Sequence, residues 1–213
     1  MKKLTYFFYA ACLICCLAAC SDDEAGVTTT PAPEATGIWM DERDSTEYQW
    51  VRYGRLEWTI QNLRYQVTEG VTKPDLTMSP GQFDDGVATK YYDTFGLLYN
   101  YEAAMAAVPE GWRLPSRNDW DDLANRTNND IKGALDLQLG GYYVNDDFFQ
   151  QIHPNVDYYA YIYGFYWSST IDETKTGDAF AFYRKLTYNQ SGSVCESMDK
   201  TNFLSVRLVR DAQ

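Results

Sequence analysis

The 213-residue chain has one histidine, His153, and five cysteines, four of them within its first twenty residues. A transition-metal site needs several convergent imidazole or thiolate ligands, so none is expected, and no cofactor with it. Cys195 is the one thiol left beyond residue 20. It has no cysteine to pair with, and no spacing supports His153 as its catalytic base. Basic charge is scarce too, with 18 lysines and arginines against 30 acidic residues and a net charge of −12. Such a surface repels phosphate backbones, which argues against nucleic acid as a partner. No apolar run is long enough to span a bilayer as a helix, and no internal repeat is visible. Acidic pairs at Asp41/Asp44, Asp84/Asp85 and Asp146/Asp147 could hold a hard cation. Loop acids are usually solvated, so no metal is assigned to them.

The longest apolar stretch, Leu4 to Leu17, follows Met1-Lys2-Lys3. A charged start and about fourteen apolar residues read as a secretion signal over residues 1–19. The stretch closes on Leu17-Ala18-Ala19-Cys20, which resembles the bacterial lipobox, with Cys20 as the acylated residue. Removing the leader takes Lys2 and Lys3 with it, leaving 30 acids against 16 bases, or −14. Ser21-Asp22-Asp23-Glu24 resembles the export signal of surface lipoproteins in the Bacteroidetes. Residues 20–37 are expected to be an acidic, Thr/Pro/Ala-rich tether without hydrophobic periodicity. The resulting address is the outer membrane, anchored by lipid and exposed on the cell surface.

Residues 38–213 have the composition of one globular domain with a single core. Residues 38–63 read as short strands, with Leu56, Trp58 and Ile60 alternating against Glu57 and Thr59. Residues 64–90, rich in Gly and Pro, read as a long loop. Tyr101 to Val108 is a short Ala-rich helix stopped by Pro109. Ser116, with Asp119 three residues on, opens a second helix whose Trp120, Leu123 and Ala124 share a face. Strand patterns return over 178–186 and at Leu204, Val206 and Leu208. Two short helices among many strands and long loops give an α+β class.

Several segments, in this order, resemble the Fibrobacter succinogenes major paralogous (FISUMP) domain, a secreted bacterial module with a C-type-lectin-like fold. They are Tyr-Gln-Trp-Val-Arg-Tyr-Gly from residue 48, Leu-Glu-Trp-Thr-Ile-Gln-Asn-Leu from 56 and Phe-Gly-Leu-Leu-Tyr-Asn-Tyr from 95. Pro-Glu-Gly-Trp-Arg-Leu-Pro from 109 is the most specific. Leu-Gly-Gly-Tyr from 139, Gly-Phe-Tyr-Trp-Ser-Ser-Thr from 164 and Ser-Val-Arg-Leu-Val-Arg-Asp from 205 complete the set. The resemblance runs over about residues 41–211. It implies pairing of N- and C-terminal strands, two flanking helices, and long loops on one side. Family members usually carry cysteines where this chain has Val108 and Leu208, so an apolar contact is expected in place of a cross-link. Trp58, Trp112, Arg113, Trp120, Trp167 and Arg207 are motif residues and are expected to serve as scaffold, the arginines bonding carbonyls or carboxylates from inside.

Aromatics are the surplus: 18 Tyr, 10 Phe and 6 Trp make 16% of the chain, more than such a core requires. They crowd residues 142–166, where neighbouring tyrosines must face opposite ways along a strand. Tyr142, Tyr143, Phe148, Phe149, Tyr158, Tyr159, Tyr161 and Tyr163 are therefore the candidate ligand or partner surface. A tyrosine mini-core folding that loop on itself is the equal alternative. The functional expectation is a non-catalytic surface module that binds a glycan or a peptide. It would be accessory to nutrient capture by an outer-membrane importer and its lid lipoprotein. An adhesin or pilus-associated protein is the alternative. A formylglycine-generating enzyme relative is disfavoured, because that chemistry needs reactive cysteines. A calcium-dependent lectin would need Glu-Pro-Asn or Gln-Pro-Asp with Trp-Asn-Asp, and none occurs.

Overall fold

The computed structural model describes residues 29–72, 94–144 and 162–213, together with the backbone of 147–149. The leader, Cys20, the export-like run, His153 and most of the loop expected over 64–90 lie outside these residues.

The first sheet joins β1 (Ala35–Asp41), β2 (Thr46–Tyr53), β3 (Leu56–Thr59) and the C-terminal strand (Val209–Asp211) in that order, all antiparallel. β4 (Val71–Thr72) pairs with β5 (Leu98–Tyr99), and β6 (Tyr142–Val144) pairs with β7 (Asp147–Phe149). The other large sheet is a meander of β8 (Tyr163–Ile171), β9 (Phe180–Thr187) and β10 (Ser193–Asp199). β11 (Val209–Asp211) closes the chain against β3. N- and C-terminal strands thus share one sheet, in an α+β arrangement.

β1 begins at Ala35, inside the stretch read from the sequence as tether. Backbone pairing with β2, rather than apolar alternation, holds it there. Residues before it are tied down as well. The Tyr53 hydroxyl donates to the Pro31 carbonyl, and the Thr30 hydroxyl donates to the Asp130 carboxylate.

Three helices lie wholly within the described residues. α1 (Tyr101–Ala106) is capped by Asn100, whose side chain accepts from the Ala103 N–H. α2 (Arg117–Arg126) carries the expected capping box: Ser116 accepts from the Asp119 N–H, and the Asp119 carboxylate accepts from the Ser116 N–H. α3 (Ile131–Ala134) is an addition to the expected pair. Four residues including Gly133 carry too little periodicity to announce a helix.

The core has two halves. In one, Val51, Tyr53 and Trp58 of the first sheet pack on Trp120 and Leu123 of α2. In the other, Tyr48 and Leu97 meet Phe165, Trp167 and the alternate residues Leu204, Val206 and Leu208. The C-terminal segment passes between the halves, so it is buried on both faces, and Ser205 and Arg207 are inside as well as the leucines. β3 is buried at all four positions too: Leu56 and Trp58 face the α2 half of the core, Glu57 is covered by Arg52 and Arg210, and Thr59 bonds the Leu208 backbone. The alternation in its sequence does not mean that Glu57 meets water.

Candidate ligand-binding surface

The expected scaffold residues are mostly interior. Trp58 and Trp120 lie 4.8 Å apart between centroids, and Trp167 donates from Nε1 to the Tyr99 carbonyl at 2.8 Å. Arg207 is 1% exposed and donates to the carbonyls of Thr59 (3.1 Å) and Asp136 (3.2 Å), joining β3 to the loop after α3. Burial pushes its guanidinium below the ordinary arginine value, and the facing Tyr166 opposes that shift. Arg113 clamps the Asp119 carboxylate with both terminal nitrogens, while its backbone exchanges hydrogen bonds of 2.8 and 2.9 Å with Val209. Burial alone would raise the Asp119 carboxyl, but bonds from Arg113 and Ser116 outweigh it and hold it low. The Pro109–Pro115 motif therefore lies along β11 and extends the first sheet by one bridge.

Of the eight aromatics expected at the surface, Tyr142 and Tyr163 have described side chains. Both are half-buried and lean on the core residue Phe165, with centroids 4.6 and 6.2 Å from its ring. The hairpin backbone pairs Tyr142 with Phe149 and Tyr143 with Phe148. The side chains of Tyr143, Phe148 and Phe149 lie outside the described residues, as do Tyr158, Tyr159 and Tyr161.

A different aromatic surface stands on the first sheet. Cross-strand pairing sets Trp39 beside Tyr48, Gly37 beside Trp50, and Arg52 beside Glu57, which is paired in turn with Arg210. Paired residues share a face, so a row of rings and guanidiniums runs across four strands. The Trp39 ring stacks on Tyr48 at 5.4 Å and meets Trp112 at 5.0 Å. Arg210 sits 4.4 Å over Trp112 and 5.7 Å from Trp50, and Arg52 reaches Trp50 at 6.0 Å. Gly37 makes the row possible: a Cβ there would stand 2.4 Å from Cζ2 of Trp50. The indole of Trp50 therefore lies across β1, in space that only glycine leaves open.

Glu57 organises the cations. Its carboxylate, 2% exposed, accepts from Arg52 Nη2 at 2.6 Å and from Arg210 Nε at 2.7 Å. Burial would raise it, but the two guanidiniums together pull it below the usual carboxylate range. Trp39, Trp50, Arg52 and Arg210 remain partly open to solvent. Trp112 is 6% exposed, and its indole N–H has no acceptor among the described residues.

Beyond the end of β1 is an open groove of about 840 Å³ between residues 65–70 and α1. Arg43 lies on its wall, 3.7 Å over the Tyr65 ring and ion-paired to the buried Asp41. Asn100, the cap of α1, and Glu102 within it form the opposite side. Sequence reading missed the ring-and-guanidinium row because Trp112 and Arg210 reach it from far along the chain. The available signal was Trp39 and Trp50 at alternate strand positions, with glycine at 37.

Among the described residues no three His, Cys, Asp or Glu side chains gather to hold a metal ion. Residues 51–136, from β2 through α3, match the Fibrobacter succinogenes major domain family. This stretch contains the Pro109–Pro115 motif, on which the resemblance to that family chiefly rests. No curated protein and no solved structure matches the chain.

Proposed function

We propose that this FISUMP-domain chain is a non-catalytic recognition module, held on the outer surface of the outer membrane by lipid on Cys20. Its fold is read as C-type-lectin-like, and its ligand-contact surface as the ring-and-guanidinium row on the first sheet. The observation that carries this reading is the partly open pair Trp39 and Trp50 with Arg52 and Arg210 beside them. Indole faces offer flat apolar area for a pyranose or a peptide side chain, and guanidinium edges donate to hydroxyls and carbonyls. One carboxylate, Glu57, is shared by both arginines, so the row supplies donors at low net charge. That suits a neutral glycan or a peptide better than a polyanion. A small module of this kind fits a role beside an outer-membrane importer and its lid lipoprotein in nutrient capture, an association drawn from analogy with other surface lipoproteins. Burial pushes the Cys195 thiol up, away from the thiolate that formylglycine-type chemistry requires.

Glycan and peptide arrays probed with the wild type, Trp39→Ala and Trp50→Ala test the surface. Each substitution is expected to weaken binding by about 2 kcal/mol while the fold is retained by circular dichroism. Unchanged binding in both variants would place the site elsewhere. Protease shaving of intact cells should release the domain, and Cys20→Ala should leave it unanchored. A wild type found soluble in the periplasm would remove the membrane part of the proposal.

A further inference from the structure

Strand β1 is the outer strand of the first sheet, and among the described residues nothing pairs with its far side. Exposed edges normally carry a lysine, a proline, a bulge or very short length, each of which discourages a further strand. β1 has none of these. It runs seven residues in unbroken register with β2, contains no proline, and its one charged residue, Asp41, is buried against Arg43.

Its side chains are unusual for an edge. Ile38 is 66% exposed and Met40 is 49% exposed, side by side on one face. They are open because the core half on that face draws on β2, β3 and β11 but takes nothing from β1. On the other face the edge carries Trp39 and, across Gly37, the indole of Trp50. A strand added here would bury Ile38 and Met40 on one side and rest against indole on the other.

Charge selects the occupant. Glu47 stands opposite Met40, and Glu34, Glu42 and Asp44 are exposed around the two ends of the strand. The nearby cations are already engaged, Arg43 by Asp41 and Arg52, which stands opposite Ala35, by Glu57. A second copy of this chain would bring the same acidic frame against itself. We propose that the β1 edge docks an extended segment of another protein as a fifth strand. That segment would alternate aliphatic with small polar residues and carry lysine or arginine at its ends. Main-chain hydrogen bonds would supply affinity, Ile38 and Met40 would select the alternate aliphatic side chains, and the glutamates would select the basic ends.

The test uses the full chain and a labelled peptide, Lys-Lys-Val-Thr-Val-Thr-Val-Lys-Lys, titrated by fluorescence anisotropy. The peptide is expected to bind, with slower hydrogen exchange at the amides of residues 36–40. Ile38→Lys should weaken binding at least tenfold with an unchanged melting temperature, as should glutamates in place of the peptide's lysines. Absence of binding at millimolar peptide, equal affinity for Ile38→Lys, or no protection of the β1 amides would each overturn the proposal. Self-association of the chain that disappears in Ile38→Lys would make a second copy the occupant and overturn it as well.

Discussion

Glu57 shows what a single position owes to its surroundings. In the sequence it stands between Leu56 and Trp58 and reads as the outward member of an alternating strand. In the fold it is buried on a central strand and held by Arg52 and by Arg210, the latter 153 residues away. Its folded carboxyl lies below the ordinary value, because the two guanidiniums outweigh burial. A depressed carboxylate contributes stability that is fully present above its unfolded pKa and is lost as pH falls through the folded one. Glu57→Gln is therefore expected to cost about 2 kcal/mol at neutral pH, between the values for exposed and buried ion pairs. The gap to wild type should shrink on acidification below about pH 4. Asp41 and Asp119 are depressed in the same direction, so the difference between the two proteins, rather than either melting curve, isolates Glu57. Thermal melts of both across that range check it.

At the scale of elements, α2 was fully legible. Ser116, Asp119 and the Trp120–Leu123 spacing announce a capped amphipathic helix, and cap and buried face fall where the spacing puts them. Local hydrogen bonds and a 3.6-residue period need no distant partner. The structure adds to that cap the clamp from Arg113, which ties the Pro109–Pro115 loop to the helix it precedes. Ser116→Ala should cost about 1 kcal/mol as a lost N-cap. Asp119→Asn should cost more, about 2 kcal/mol, since it weakens both the cap and a charge-assisted bidentate pair. Urea denaturation of the two variants measures the order. α3 was not legible because it is too short for a period, and of β1 only the first three residues, Ala35 to Gly37, were missed, since pairing with β2 rather than pattern extends the strand there.

For the whole molecule, the expected contact between Val108 and Leu208 has both residues in one core half. Leu208 is fully buried, and Val108 is partly buried against the same cluster. Val108→Cys with Leu208→Cys should form the cross-link that the resemblance implies for these positions and add about 2–4 kcal/mol. The readouts are a reductant-sensitive gel shift and a melting temperature that falls when reductant is added. If the thiols stay reduced under oxidant, the two positions are not in bonding reach.

What the sequence determined by itself is whatever is local or repeated along the chain: the α+β class, the capped helix, the short strands and the motif that the family match includes. Each rests on neighbouring residues, whose backbone preferences and periodicities act before any long-range contact forms. Tertiary structure alone decided which faces were doubly covered and which side chains met. Pairing β11 with β3 buried Glu57 and brought Arg210 over Trp112, and pairing β1 with β2 laid Trp50 across Gly37. Those contacts join residues with no periodic relation in the chain. Their chemistry, from the lowered carboxylate to the row of open indoles, exists only once the strands are side by side.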